Sequence, residues 1–375
     1  MRARSYRYPN NNSDDEYIDT TYYDETYEYL DVGYQLLKQF NVKLYPQLTI
    51  LKILFLDHNN LDTLPDSRYV PNLRELTCSV NKLTSIPFYP KLTFLNIAHN
   101  NILQCDSKYN NSRIEHFDCS YNPNFNFNFM LPECTQLYIN NTNLKSTDFI
   151  TLVPKLKILD CSNNTLTHIT TGPNIIEVNL QYNNVTQLPS WPKLINLTAD
   201  YNKIEILPTY PLLSSVTISF NNLKTIHNQP LLKKIIANNN VIANLGQMPE
   251  LELIDFSHNN LTNISVPPKV QYASLQFNPI TDLTLSPDLL KNIKELQVNF
   301  KTYQHIYETY YNNFDSVNVQ TNGPKMEQIL KNLNNIFNDE RIIRYIFRKF
   351  STIKFKYRDD TLYQITMRLY WYYFF

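Results

Sequence analysis

The sequence predicts a repeat fold of the α/β class. It is a solenoid with a parallel β-sheet on its concave face, extended polyproline-like segments on its convex face, and a helical C-terminal cap. Three observations predict it. An Asn recurs down the chain at a near-constant interval, as Asn59, Asn81, Asn100, Asn122, Asn164, Asn183, Asn202, Asn221, Asn240, Asn259 and Asn278. From Asn164 onward every step is 19 residues; before it the steps are 22, 19 and 22, then 42 across one turn where Thr142 stands in. Around each Asn the apolar residues also repeat: Leu194, Leu197 and Ala199 precede Asn202, and Ile204 and Leu207 follow it. Finally, the links between frames carry Pro, as in Leu188-Pro189-Ser190-Trp191-Pro192, and a repeat this short leaves little room for an outer helix.

Taken in order, residues 1–30 are expected to form a disordered tail. Asp14 to Asp31 holds eight acidic residues and no basic ones, interleaved with tyrosines and few aliphatic side chains. Residues 31–50, with Val32, Leu36, Leu37 and Phe40, are expected to cap the first repeat, because an end strand exposes unpaired backbone and an open core. Residues 51–300 hold about 12 repeats and a degenerate closing strand around Ile293, Leu296 and Val298, with Lys301 where Asn belongs. The stretch from Leu103 to Thr147 is the least regular, since Asn124 replaces an apolar residue. Residues 301–375 are expected to form the cap: Leu330, Leu333, Ile336 and Phe337 share one helical face, as do Ile342, Ile346, Phe350 and Ile353.

The frame, apolar-x-x-apolar-x-apolar-x-x-Asn-x-apolar, resembles the leucine-rich repeat family over about residues 51 to 283. The short, Pro-containing repeats look like those of some bacterial effectors. The resemblance implies a ladder in which each Asn amide bonds backbone groups of adjacent turns, a task that needs a donor and an acceptor in one side chain. Thr142 has only a hydroxyl, so the ladder is expected to weaken there. The Asn, Tyr and Ile bias is similar to that of leucine-rich repeat proteins from giant DNA viruses of amoebae.

Composition narrows the function. Lys plus Arg and Asp plus Glu are both 34, so bulk attraction to nucleic acid is disfavoured. With four Gly there is no phosphate-binding loop, and no cofactor, metal site or small-molecule substrate is expected. The five Cys occupy apolar frame positions and read as buried thiols, suited to a reducing, intracellular and cytoplasmic setting. No apolar run reaches membrane-span length, and no apolar core follows the basic N-terminus as a signal peptide requires. No convergent acid, base and nucleophile pattern appears, so no catalytic residue is assigned and the chain is read as non-enzymatic.

The informative positions are those expected to point off the sheet. The residue before each Asn forms a column in which Tyr182, Tyr201 and Phe220 occupy successive rungs, as clustered aromatic anchors do at interfaces. Asn179, Thr198 and Thr217, with Gln181, Asp200 and Ser219, stand beside them. Asp57, Glu75, Asp118, Asp160, Glu177, Asp200 and Asp255 make the face mildly acidic, partly offset by Lys82, Lys203 and Lys234. The reading is a protein or peptide partner, basic in part, bound on the concave face. The alternative is an adaptor localised to a membrane surface or nucleic acid by the basic, aromatic residues 341–375.

Overall fold

The computed structural model of the chain describes residues 22–23 and 27–298, apart from 46 and 111. Met1–Ile293 form one compact unit and Lys294–Phe375 a second. Of the second, the description reaches a strand at Glu295–Gln297, with Leu296 and Val298 buried. The expected helical cap over 301–375, and most of the expected tail, lie outside the described residues.

In the first unit the main sheet begins with β1 (Tyr22–Tyr23) antiparallel to β2 (Tyr29–Asp31). It continues in parallel through β3 (Ile53–Phe55), β4 (Glu75–Thr77), β5 (Phe94–Asn96), β6 (His116–Asp118), β7 (Gln136–Tyr138) and β8 (Ile158–Asp160). The remaining strands are β9 (Glu177–Asn179), β10 (Asn196–Thr198), β11 (Ser215–Thr217), β12 (Lys234–Ile236), β13 (Leu253–Asp255) and β14 (Tyr272–Ser274). Register is constant from β2 to β14: the middle residue of each rung is buried and its neighbours face outward, as period-two alternation requires. The boundary drawn at residue 30 falls inside β2, because Tyr29 and Asp31 already pair with β3.

The convex segments are extended, as the Pro-rich links require. Ile206–Leu207, Thr225–Ile226 and Asn244–Leu245 pair as one narrow parallel sheet, and Asn263–Val266 with Asp282–Leu285 as another. Three repeats of 22 residues take up their extra length differently. Turns or 3₁₀ segments fill them, including Ser107–Tyr109 and Asp148–Leu152. A short helix, Pro287–Asn292, follows the last regular repeat; Ser286 Oγ accepts from Leu289 N at 3.2 Å, a side-chain N-cap.

Two hydrogen-bond ladders tie turn to turn. At Asn202, Oδ1 accepts from Val185 N at 2.9 Å, and Nδ2 donates to Leu180 O at 2.9 Å and Ala199 O at 3.2 Å. The amide therefore satisfies buried backbone groups of the preceding turn and of its own. Thr142 is the weak rung foreseen above. Its hydroxyl donates to Ile139 O at 2.9 Å, within its own turn, and reaches nothing in the preceding one. The second ladder lies on the convex side. Tyr89, Tyr109 and Tyr210 donate their hydroxyls to the carbonyls of Pro65, Pro87 and Pro189, at 2.6, 2.8 and 2.9 Å. Gln229 does the same for Pro208 at 2.6 Å.

The irregular stretch keeps its core by aromatic substitution. Asn124 turns out of the core with φ 67°, while Phe125, Phe127 and Phe129 are buried around Phe117, at centroid distances of 6.1, 6.3 and 6.0 Å. Bulky rings there fill the volume that aliphatic side chains fill elsewhere.

Candidate functional site

Each strand ends in a sharp turn, and the residue before the ladder Asn makes it. His58, Val80, His99, Tyr121, Asn141, Asn163, Tyr182, Tyr201, Phe220, Asn239, His258 and Phe277 all adopt φ between 52° and 57°. This left-handed conformation throws the side chain out along the rim while the next residue's amide turns inward. Sequence reasoning placed the column outward but missed its backbone. Gly or Asn is the usual signal for such a conformation, and most of these positions carry neither. Val80 is the most strained occupant, because a β-branched side chain disfavours this region. Val80→Asn, the residue used at three other rungs, is expected to raise stability by about 1 kcal/mol. A urea titration checks this; an unchanged or lower midpoint would mean that Val80 packing outweighs the backbone strain.

The column is a set of stacked rings. Tyr182 stacks on Tyr201 at 4.5 Å and 8°, and Tyr201 on Phe220 at 4.5 Å and 6°. The three remain 50%, 42% and 44% exposed. His58, His99 and His258 stack likewise on Tyr34, Tyr121 and Phe277, at 4.2, 3.8 and 4.1 Å. The strand spacing alone brings rings of adjacent rungs into contact.

The polar residues beside the ladder divide by role. Asp200 is tied internally: Oδ2 accepts from Gln181 Nε2 at 2.7 Å and Thr217 Oγ1 at 3.0 Å, and Oδ1 from Ser219 N at 2.7 Å. Asn179 Oδ1 accepts from Gln181 N at 3.1 Å, and its Nδ2 donates to Asp160 Oδ2 at 3.1 Å. Thr198 is half-buried on β10. Ser219, expected at the surface, is 6% exposed. It supports the rim from beneath, because its amide is spent on Asp200. Lys82 and Lys203 follow their ladder Asn and so leave the strands; of the three offsetting lysines, only Lys234 stands on one.

Sequence reasoning passed over a second aromatic group, on the strands themselves. Phe94 stacks on His116 at 4.2 Å and 11°, and His116 meets Tyr138 at 5.2 Å and 35°. Strand alternation, applied to the first and third residue of each strand, would have found them. His116 Nδ1 lies 3.1 Å from Gln136 Oε1. Burial holds the imidazole pKa below its usual value, which favours the neutral ring.

Other chemistry has little to stand on. Cys78, Cys105, Cys119, Cys134 and Cys161 are buried and free. Burial pushes each thiol up, Cys134 to about 12, so none offers a thiolate nucleophile at neutral pH. Among the described residues no group of three or more His, Cys, Asp or Glu is arranged to hold a metal ion. A shallow depression of about 590 Å³ opens on the rim beside Val80, His99, Tyr121 and Asn141.

No family model matches the chain. It is 58% identical over 370 residues to a leucine-rich repeat protein of Acanthamoeba polyphaga mimivirus, covering 99% of this chain and 86% of that one. Among solved structures, the leucine-rich effector YopM of Yersinia pestis superimposes with a TM-score of 0.59 at 22% identity, covering 67% of this chain and 72% of that one. A chain of the LRIM1/APL1C complex gives 0.56 at 21% identity, covering 75% and 54%. At such identities the two structures speak to the fold alone.

Proposed function

This chain belongs to the leucine-rich repeat family, and we propose that it is a non-enzymatic module that binds a protein or peptide on the open face of its main sheet. The family is a scaffold for interactions rather than for chemistry, and repeat arrays present extended binding surfaces. One structural neighbour is itself part of a protein assembly, the LRIM1/APL1C complex. The observation that carries the reading is the ladder of Tyr182, Tyr201 and Phe220. Three large rings stand in contact, half exposed, on a backbone fixed by hydrogen bonds from each rung to the next. Rings already ordered lose little entropy on binding, and clustered aromatics are the common energetic anchors of interfaces. The carboxylates of the same face favour a partner that is basic in part. An intracellular site of action fits the five buried free thiols. Among the described residues no helix is long and apolar enough to cross a membrane.

Affinity capture from a host-cell lysate tests the proposal. It compares the full chain with a Tyr182→Ser, Tyr201→Ser, Phe220→Ser triple variant and with a chain truncated after Gly323. Circular dichroism confirms that each is folded. A protein partner is expected to bind the full and truncated chains and to be lost from the triple variant. A partner retained by the triple variant but lost on truncation would move recognition to residues 324–375. That outcome favours the alternative of localisation by segment 341–375, which lies outside the described residues.

A further inference from the structure

The floor of the sheet differs from its rim in charge. On the rungs of β3 to β9, the outward positions are the first and third strand residues and the residue two beyond. They hold Asp57, Glu75, Asp118, Asp160 and Glu177, and no Lys or Arg. None of these carboxylates makes an ion pair among the described residues. Acids off the floor do, as in Lys52–Glu28 at 2.6 Å, Lys155–Glu133 at 2.6 Å and Lys224–Glu205 at 2.7 Å. Neutral donors hold three of them instead: Ser79 Oγ on Asp57 at 2.7 Å, Ser120 Oγ on Asp118 at 2.6 Å, Ser162 Oγ on Asp160 at 2.7 Å. Such bonds orient a carboxylate without cancelling its charge. The negative potential registers on Tyr138, whose phenol is pushed up first by burial and then by Glu177, Asp118 and Asp160.

The row of rings lies within this charge. Register pairs Glu75 with Phe94 at one end of the row, and Tyr138 with Asp160 at the other. Each end therefore sets a ring next to a carboxylate on the neighbouring strand. We propose that the floor over β4–β9 is a binding surface for arginine side chains of a basic peptide segment, with Phe94, His116 and Tyr138 as the stacking groups and Glu75, Asp118, Asp160 and Glu177 as the charge partners. A guanidinium is planar and weakly hydrated, so it can rest on a ring and hydrogen-bond a carboxylate together; a lysine ammonium does one or the other. Carboxylates alone would accept either cation, and the rings supply the preference.

The inference rests on the proposed function, since it names the partner chemistry for the same face. It also gives a spacing. The nearer of the two ring–carboxylate pairs, Tyr138 with Asp160, begins on β7, two rungs from β9 and roughly 10 Å away at the usual strand separation. An extended peptide covers that in about three residues. The partner segment therefore carries an arginine at least about three residues from the apolar side chain that meets the rim ladder.

Fluorescence anisotropy with labelled nona-arginine and nona-lysine, titrated with the full chain near physiological salt, tests the inference. The chain is expected to bind nona-arginine about tenfold more tightly than nona-lysine. Phe94→Leu with Tyr138→Leu is expected to bring that ratio close to one. Glu75→Gln with Glu177→Gln, at half-exposed and exposed positions, is expected to weaken both peptides, which covers the case in which the ring variant fails to fold. These variants leave the acidic residues 14–31 untouched, so binding there would survive all of them. Equal binding of the two peptides, or a preference that persists without the rings, overturns the proposal. The rim triple variant separates the two readings. A preserved arginine preference with no rim-dependent partner sinks the rim anchor alone, and the converse sinks the arginine floor alone.

Discussion

Replacing Asn221 with Ala is expected to cost about 3 to 4 kcal/mol of stability, a large share of what holds a natural domain folded. The side chain is 8% exposed. Its Oδ1 accepts from Ile204 N at 2.9 Å, and its Nδ2 donates to Ala199 O at 2.9 Å, Ser219 O at 3.1 Å and Ile218 O at 3.3 Å. Alanine removes these bonds, leaving the buried Ile204 amide without its acceptor and Ala199 O with only the 3.2 Å bond from Asn202 Nδ2. An unmade bond inside a protein costs far more than a made one contributes, because the buried amide does not regain water. Asn221→Asp should be worse still, since a carboxylate cannot donate and would face three carbonyl oxygens. Asn221→Thr should fall between wild type and Ala. At Thr142 the hydroxyl keeps the bond within its own turn and gives up the one to the turn before.

The order Thr, Ala, Asp, read from urea midpoints, is therefore a sharper check than any single value. Loss at this rung should also divide the array. Coupling in a solenoid passes only between neighbouring turns, so a broken joint lets the two sides unfold apart. Hydrogen exchange at the Ile204 amide is expected to quicken well before global unfolding. An Asn221→Ala chain within about 0.5 kcal/mol of wild type would mean that the packed apolar frame, not the amide ladder, sets the strength of the joint.

The contrast between the Asn ladder and the rim explains what the sequence could and could not announce. The ladder was legible because one residue type performs one task at every rung, and its failure at Thr142 was legible because a hydroxyl lacks the amide's second function. The core was legible for a similar reason: Leu, Ile, Val, Cys or Ala at the frame positions all satisfy the same demand for buried apolar volume. The left-handed turn was hidden. Its steric cost is borne by His, Val, Tyr and Phe, held there by backbone bonds such as Tyr201 N to Ser219 O at 2.9 Å. None of the four Gly falls in that column. The convex ladder was hidden differently. Tyr210 and Pro189 are 21 residues apart, and nothing local in either says that a phenol will meet a proline carbonyl. At the candidate site, the rim rings were legible as outward-facing residues. The roles of Asp200 and Ser219 were not, because a polar side chain gives the same signal whether it faces a partner or braces its own sheet.

Trp191 supplies the other large effect. It occupies the convex position that Tyr210 holds one repeat later, and it is fully buried, with its ring system 6.2 Å from that of Tyr210. Trp191→Ala is expected to cost about 3 to 5 kcal/mol through lost contacts and the cavity left behind. Trp191→Phe carries the sharper argument. The indole Nε1 is buried and meets no acceptor among the described residues, whereas Tyr210 on the next repeat ends in a hydroxyl bound to Pro189 O. Phenylalanine gives up part of the indole volume, a loss of about 1 to 2 kcal/mol, and removes a buried donor whose unmet bond costs about the same. The two terms oppose, so Trp191→Phe should lie within about 1 kcal/mol of wild type while Trp191→Ala lies several below. Thermal and urea unfolding of the pair, with matched far-UV spectra, decide it. A Phe variant as unstable as the Ala variant would show that the indole N–H is bonded in solution and belongs to the ladder after all.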